Sequence, residues 1–146
     1  MMNKEASHVQ FSFNSEIALP EQKRLKAFII SLFEDHNQPL AFLHYTFCTD
    51  EEILAINQQY LKHDYYTDII TFDLRERSAD AMTAEVFVST DTVRSNAELV
   101  GEPFLKELHR VIFHGALHLC GYNDKAEREQ VVMRKMEDQC LFRYFK

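Results

Sequence analysis

At 146 residues and 46% hydrophobic content, the chain carries enough apolar material for one core of ordinary size, which excludes a disordered segment. No apolar run approaches the roughly 20 residues that span a bilayer. Met1 to Gln10 is polar and mixed in charge rather than built like a leader peptide, so the expectation is a cytoplasmic protein with no membrane partner. A formal net charge of -7 excludes nonspecific coating of nucleic acid, so any RNA partner must meet a local basic patch or a bound cation.

With three glycines and three prolines the chain has few natural breaks, and residues 1–146 read as one continuous domain. Val9, Phe11 and Phe13 alternate with polar residues, the pattern of a half-buried strand. Pro20 suits a first helical turn, and Leu25, Phe28, Ile29, Leu32 and Phe33 recur at helical spacing up to about Asn37. Leu40 to Thr46 reads as a second strand. Thr49 or Asp50 can cap a helix from Glu51 to about Leu61. Ile69 to Leu74 and Glu85 to Ser89 are two further strands, separated by the polar stretch Arg75 to Thr83.

Thr90 or Asp91 is placed to cap a short helix that carries Val93, Ala97 and Leu99 and that Gly101 ends. From Pro103 the pattern is strongly helical through Leu105, Leu108, Ile112, Leu117 and Leu119 to a stop at Gly121. A last helix spans roughly Ala126 to Tyr144. About four strands interleaved with five helices predict an α+β or mixed α/β domain, a single small sheet with a layer of helices over it.

The segment His114-Gly-Ala-Leu-His118 sets two imidazoles about 40° apart around a helix and one turn along it, where both can grip one ion. Just past Gly121 comes Asp124, a hard oxygen ligand that a short loop can fold back onto the same ion. Three protein ligands leave a coordination position open, and there a zinc ion lowers the pKa of bound water to about 7, which makes hydrolysis the natural chemistry. Taken alone, HxxxH arises often by chance, and the same residues also suit ordinary helix histidines with Asp124 capping the next helix. Cys48, Cys120 and Cys140, an odd count without CxxC spacing, read as reduced thiols, and His8, His36, His44 and His109 have no ligand spacing.

Two segments carry a family resemblance. The string His114-Gly-Ala-Leu-His118-Leu-Cys-Gly121-Tyr122 resembles the HGxLHLxGYDH signature of the YbeY-type endoribonucleases at seven of its defined positions. Asn57 to Phe72 is similar to that family's NxxYRxxDxPTDVLSF stretch, and Glu85 to Asn96 looks like its connecting region. The resemblance implies an α+β fold with one small mixed sheet and a zincin-like metal-site helix. It also implies a metal-dependent, single-strand-specific endoribonuclease of ribosomal RNA processing and ribosome quality control, with ribosomal RNA and ribosomal particles as partners. One Zn(II) ion is the implied cofactor, with another divalent ion such as Mn(II) as the alternative. His114, His118 and Asp124 occupy the ligand positions.

The departures from the family pattern shape the expectations. Asp124 stands where the family has a histidine, Asn123 where it has an aspartate, Leu61 where it has an arginine, and Tyr66 where it has a proline. An anionic third ligand makes bound water less acidic, so a higher pH optimum or a harder ion such as Mn(II) is expected. Leu61 cannot grip a phosphate, which makes Lys62 and Arg94 the candidate substrate-binding cations. Asp64, Thr67 and Asp68 suit either the site entrance or a turn ahead of a strand. Lys125, Arg128, Arg134 and Lys135 alternate with Glu127, Glu129 and Glu137, a pattern that reads as a salt-bridged solvated face. The Phe and Tyr residues read as core rather than as base-stacking platforms. A metalloprotease is disfavoured because Gly115 follows the first histidine, where HExxH has its general base. A noncatalytic ribosome-assembly factor with a structural metal is the reading from a different class.

Overall fold

The computed structural model describes residues 7–62 and 67–146. Strand β1 (His8–Phe13) leads through helix α1 (Gln22–Asp35) into β2 (Leu40–Cys48). Helix α2 (Asp50–Ile56) runs into a widened π turn over Asn57–Leu61. Then come β3 (Ile69–Asp73), β4 (Met82–Ser89), α3 (Thr90–Val100), α4 (Phe104–Leu119) and α5 (Glu127–Tyr144). The strands lie in the order β1-β2-β4-β3, with β1, β2 and β4 parallel and β3 antiparallel at one edge. This is the expected α+β architecture on one mixed sheet.

Register explains which face is buried. Val9, Leu43 and Ala84 share one row across the sheet, and Phe11, Tyr45 and Val86 the row two residues on. Alternation along each strand puts these side chains on the same face. There they pack with Leu25 and Ile29 of α1, Ile112 and Phe113 of α4, and Leu141 and Tyr144 of α5 in one continuous core. The helical layer is not confined to that face. Ile53 of α2 packs on the opposite side against Cys48 and Ile70, with Ile56, Phe72 and Phe87 beside them.

Local chemistry sets most element ends. Thr49 caps α2 as expected: its hydroxyl accepts the Glu52 N–H, and the Glu52 carboxylate accepts the Thr49 N–H at 3.1 Å. Helix α3 is capped by Ser89, one residue before the expected Thr90 or Asp91, because the last residue of β4 turns straight into the helix. Strand β4 starts at Met82, earlier than Glu85, since Met82 and Ala84 continue the buried row of Val86 and Val88. Helix α1 begins at Gln22 rather than at Pro20, after Glu21 in the left-handed region (φ 52°). Gly121, with φ 113°, ends α4 in a conformation that suits glycine. Among the described residues, no helix is long and apolar enough to cross a membrane.

One glycine positions the site. Within α4, a Cβ at Gly115 would lie 2.9 Å from Ile69 Cδ1 and 3.5 Å from Val86 Cγ1. The bare backbone lets α4 settle onto β3 and β4, in spite of the roughly 1 kcal/mol that glycine costs a helix interior relative to alanine. His114 is thereby held beside the start of β3.

Candidate metal centre

Helix α4 presents Glu107, Arg110, His114 and His118 at spacings of three, four and four residues, a single helical face. That face forms one wall of a cavity of about 690 Å3. Thr67 and Asp68, just ahead of β3, line it too, as do Asn57 and Leu61 from the π turn and Glu137 from α5. The loop after Gly121 closes the arrangement. Tyr122 returns its N–H to the Leu117 carbonyl and its own carbonyl to His118 Nδ1 at 3.1 Å, and Asp124 then reaches His114 Nε2 at 3.2 Å. Asp124 is not the cap of α5: that position is Ala126, whose N–H goes to Glu129.

The hydrogen bonds of the two histidines determine which nitrogen is free. His114 Nδ1 lies 2.7 Å from the Glu137 carboxylate, and His118 Nδ1 faces a carbonyl oxygen. Both partners only accept, so each Nδ1 carries the proton and each Nε2 offers its lone pair. Nδ1 protons tied to a carboxylate or a carbonyl are the usual support of metal-binding histidines. At His114 the free nitrogen meets a second acceptor, Asp124, and two acceptors in contact need a proton or a cation between them. Burial works to lower the His114 pKa, but the hydrogen bond and charge of Glu137, with Asp124 and Asp68 behind them, outweigh it and hold it above the ordinary value.

The donor set suits a divalent ion. Tetrahedral bonds of about 2.0–2.1 Å place two ligand atoms about 3.3 Å apart, close to the 3.2 Å between His114 Nε2 and Asp124 Oδ2. Among the described residues, no three side chains of ligating type are gathered at coordination distance. The assembled part is the His114–Asp124 pair, with His118 one turn along the same wall.

Of the carboxylates that line the cavity, Glu107 has no place in the sequence reading and Glu137 is read there as solvated, whereas Asp68 is one of its candidates for the site entrance or a turn. Glu137 belongs to no solvated face: it is 6% exposed, in contact with His114 and with Arg110 at 3.2 Å. Its signal was present, since Met133, Glu137, Cys140, Leu141 and Tyr144 form the buried stripe of α5, and a charge inside such a stripe needs a partner. Asp68 lines the cavity, and burial, more than the nearby Glu137 charge, raises its pKa against the opposing pull of His114. Arg110 sits four residues before His114 and meets Glu107, Glu137 and Asp138 at 3.8, 3.2 and 2.8 Å.

The two cations proposed for the substrate lie outside the cavity lining. Lys62 is exposed at the end of the π turn, and the Arg94 guanidinium stacks 4.1 Å over the Phe104 ring. Lys125 and Arg134 line the cavity instead. His63, Asp64 and Tyr66 lie outside the described residues.

Comparison with known proteins agrees with this geometry. A family model for Endoribonuclease YbeY matches residues 8–144. The chain is 44% identical over 131 residues to the Endoribonuclease YbeY of Parabacteroides distasonis, covering 88% of this chain and 91% of that protein. With the namesake of Cytophaga hutchinsonii it shares 38% over 138 residues, 94% of this chain and 96% of the relative. With that of Phocaeicola vulgatus it shares 56% over 97 residues, 66% and 69% of the two chains. A solution structure from Thermotoga maritima shares the fold, with a TM-score of 0.61 at 24% identity over 94% of this chain and 89% of that one. From both signature segments, the helix that carries the His114 segment and these matches, the chain belongs to the Endoribonuclease YbeY family.

Proposed function

We propose that the chain is a metal-dependent endoribonuclease that hydrolyses single-stranded RNA in ribosomal RNA processing and ribosome quality control. It acts in the cytoplasm on ribosomal RNA and ribosomal particles, through one domain spanning residues 1–146. The observation that carries the reading is the paired tethering of His114 and His118 by Nδ1 on one helical face, which leaves both Nε2 atoms available, that of His114 beside Asp124. His114, His118 and Asp124 are the ligands in this proposal, and Zn(II) or a harder ion such as Mn(II) is the cofactor. When bound in an open site, such an ion supplies Lewis-acid activation of water near neutral pH.

The chain's own residues do the rest. Glu137 holds the His114 proton at Nδ1, and Arg110 pairs with Glu137 at 3.2 Å inside the wall. Asp68 keeps its proton to higher pH than an exposed aspartate, which equips it to exchange one with a substrate in the cavity. Family membership favours this reading over a noncatalytic assembly factor, and the missing glutamate after His114 weighs against a protease.

Elemental analysis of purified wild type beside His114→Ala and Asp124→Ala tests it, together with cleavage of an unstructured RNA. Near-stoichiometric metal and cleavage in wild type, both lost in the variants, are expected. A wild type that cannot be loaded with Zn(II) or Mn(II) overturns the mechanism, and metal loss in the His114 variant alone removes Asp124 from the ligand set.

A further inference from the structure

The outer face of α5 carries what a single-stranded nucleic acid needs, on a protein whose net charge is -7. Val131, Lys135, Asp138 and Phe142 follow one another at helical spacing along α5 and line a shallow groove with Arg134 and Arg143. This is not core surface. Phe142 is 73% exposed and Val131 66%. Arg134 lines both this groove and the cavity of His114 and Asp124, so the two adjoin there.

Cations predominate on the groove, Arg134, Lys135 and Arg143 against one acidic residue. Its single carboxylate, Asp138, is already engaged by Arg110 at 2.8 Å. Lys135 has no ion-pair partner among the described residues, and Arg143 makes an exposed 3.5 Å contact with Asp35 and lies 5.4 Å over the Phe28 ring. Arg134 touches Glu137 at 3.7 Å with 64% of its side chain exposed, so its guanidinium is free to swing. Cations that follow a backbone, beside an open aromatic face on which a base can stack, form the general recognition surface for single strands.

We infer that the α5 groove is the track for the RNA strand that leaves the metal cavity, with Arg134 at the junction, Lys135 and Arg143 on phosphates, and Phe142 as a base-stacking platform. The inference rests on the endoribonuclease reading and adds to it where the substrate lies. From Val131 to Phe142 the track runs about 16 Å along the helix axis.

The test is fluorescence anisotropy of a labelled, unstructured single-stranded RNA with the full chain across a salt series, in wild type, Phe142→Ala, Lys135→Ala and the off-groove control Arg77→Ala. Loss of one stacked base weakens binding by about 5- to 150-fold, so Phe142→Ala is expected in that range with an unchanged salt slope. Lys135→Ala is expected to flatten the logarithmic salt slope by about 0.7, one phosphate contact, and Arg77→Ala to change neither quantity. Phe142 is exposed, so a folded variant is expected, and unchanged circular dichroism checks this.

Wild-type binding matched by both groove variants overturns the track and leaves the endoribonuclease reading standing. A wild type that neither binds nor cleaves the RNA overturns both. Cleavage that continues normally while Phe142→Ala instead releases a co-purifying protein assigns the groove to a protein partner, and also overturns the track.

Discussion

Two histidines in this molecule donate Nδ1 to a glutamate, and they behave oppositely. His44 on β2 meets Glu85 of β4 at 2.9 Å and receives the Ser12 hydroxyl of β1 on Nε2 at 2.7 Å. A neutral ring satisfies both contacts, so the chain Ser12–His44–Glu85 is complete as it stands, a polar cross-strand ladder on the sheet face opposite the main core. His114 meets Glu137 at 2.7 Å, but its Nε2 faces a carboxylate rather than a hydroxyl. That site is complete only with an additional proton or a cation. A histidine–carboxylate pair is therefore no mark of function by itself; what lies on the other ring nitrogen decides.

The sharpest way to break this comparison is to delete each ring. His114→Ala is expected to lose bound metal and RNA cleavage altogether, while His44→Ala keeps both; metal content and cleavage of one RNA by the two variants decide it. Equal losses in the two variants would refute the distinction. Next in size, Glu137→Gln is expected to weaken metal affinity about 10- to 100-fold, as loss of a supporting carboxylate does. Glu85→Gln is expected to leave it unchanged, and a competition titration against a chelating dye measures both.

Stability separates the two regions as well. Arg110→Met leaves Glu137 unpaired on its far side in a largely buried setting, and an unfolding free energy lowered by roughly 3 kcal/mol is expected from denaturant titration. His44→Ala removes two part-exposed hydrogen bonds and is expected to cost about 1 kcal/mol or less in the same titration.

The thiols offer the smallest effect and a control against thiolate ligation. Burial first, then neighbouring charge, pushes Cys48 and Cys120 up to about 12, and burial pushes Cys140 up to about 11 against the opposing pull of Arg143. Native protein at pH 8 is expected to resist iodoacetamide and to keep its metal, whereas unfolded protein alkylates fully. Because the folded-state values lie above the ordinary 9.0, the fold favours the thiols. The stability this lends is fully present below pH 9 and drains away as pH rises towards 11 to 12. A pH series of unfolding midpoints that is flat above pH 9 would contradict the assignment.

Much of the fold was legible because the signals are local. Alternation in Val9 to Phe13, the Thr49 cap with Glu52 and the stop at Gly121 depend on neighbours a few residues away, and the structure reproduces them. Boundaries slipped where a residue serves two elements, as Ser89 does by ending β4 and capping α3. Arg94 and Lys62 were chosen for charge and nearness in sequence to the motifs, yet Arg94 is taken up by Phe104 and Lys62 faces solvent. Glu137 was misread because a glutamate among lysines and arginines looks solvated until the stripe of Met133, Cys140 and Tyr144 is seen to be buried on both sides of it.

By itself the sequence determined the elements, their order and the spacing that brings His114 and His118 onto one helical face, since helical and strand periods are properties of adjacent residues. Only the tertiary structure decided that Glu137, 23 residues from His114, holds its proton. The same is true of Asp68 entering the cavity and of Arg134 joining it to an open basic groove. The reason is physical: partners distant along the chain meet only when the core of α4, α5 and the sheet has closed, and buried charge is stable only where that closure supplies a counter-charge.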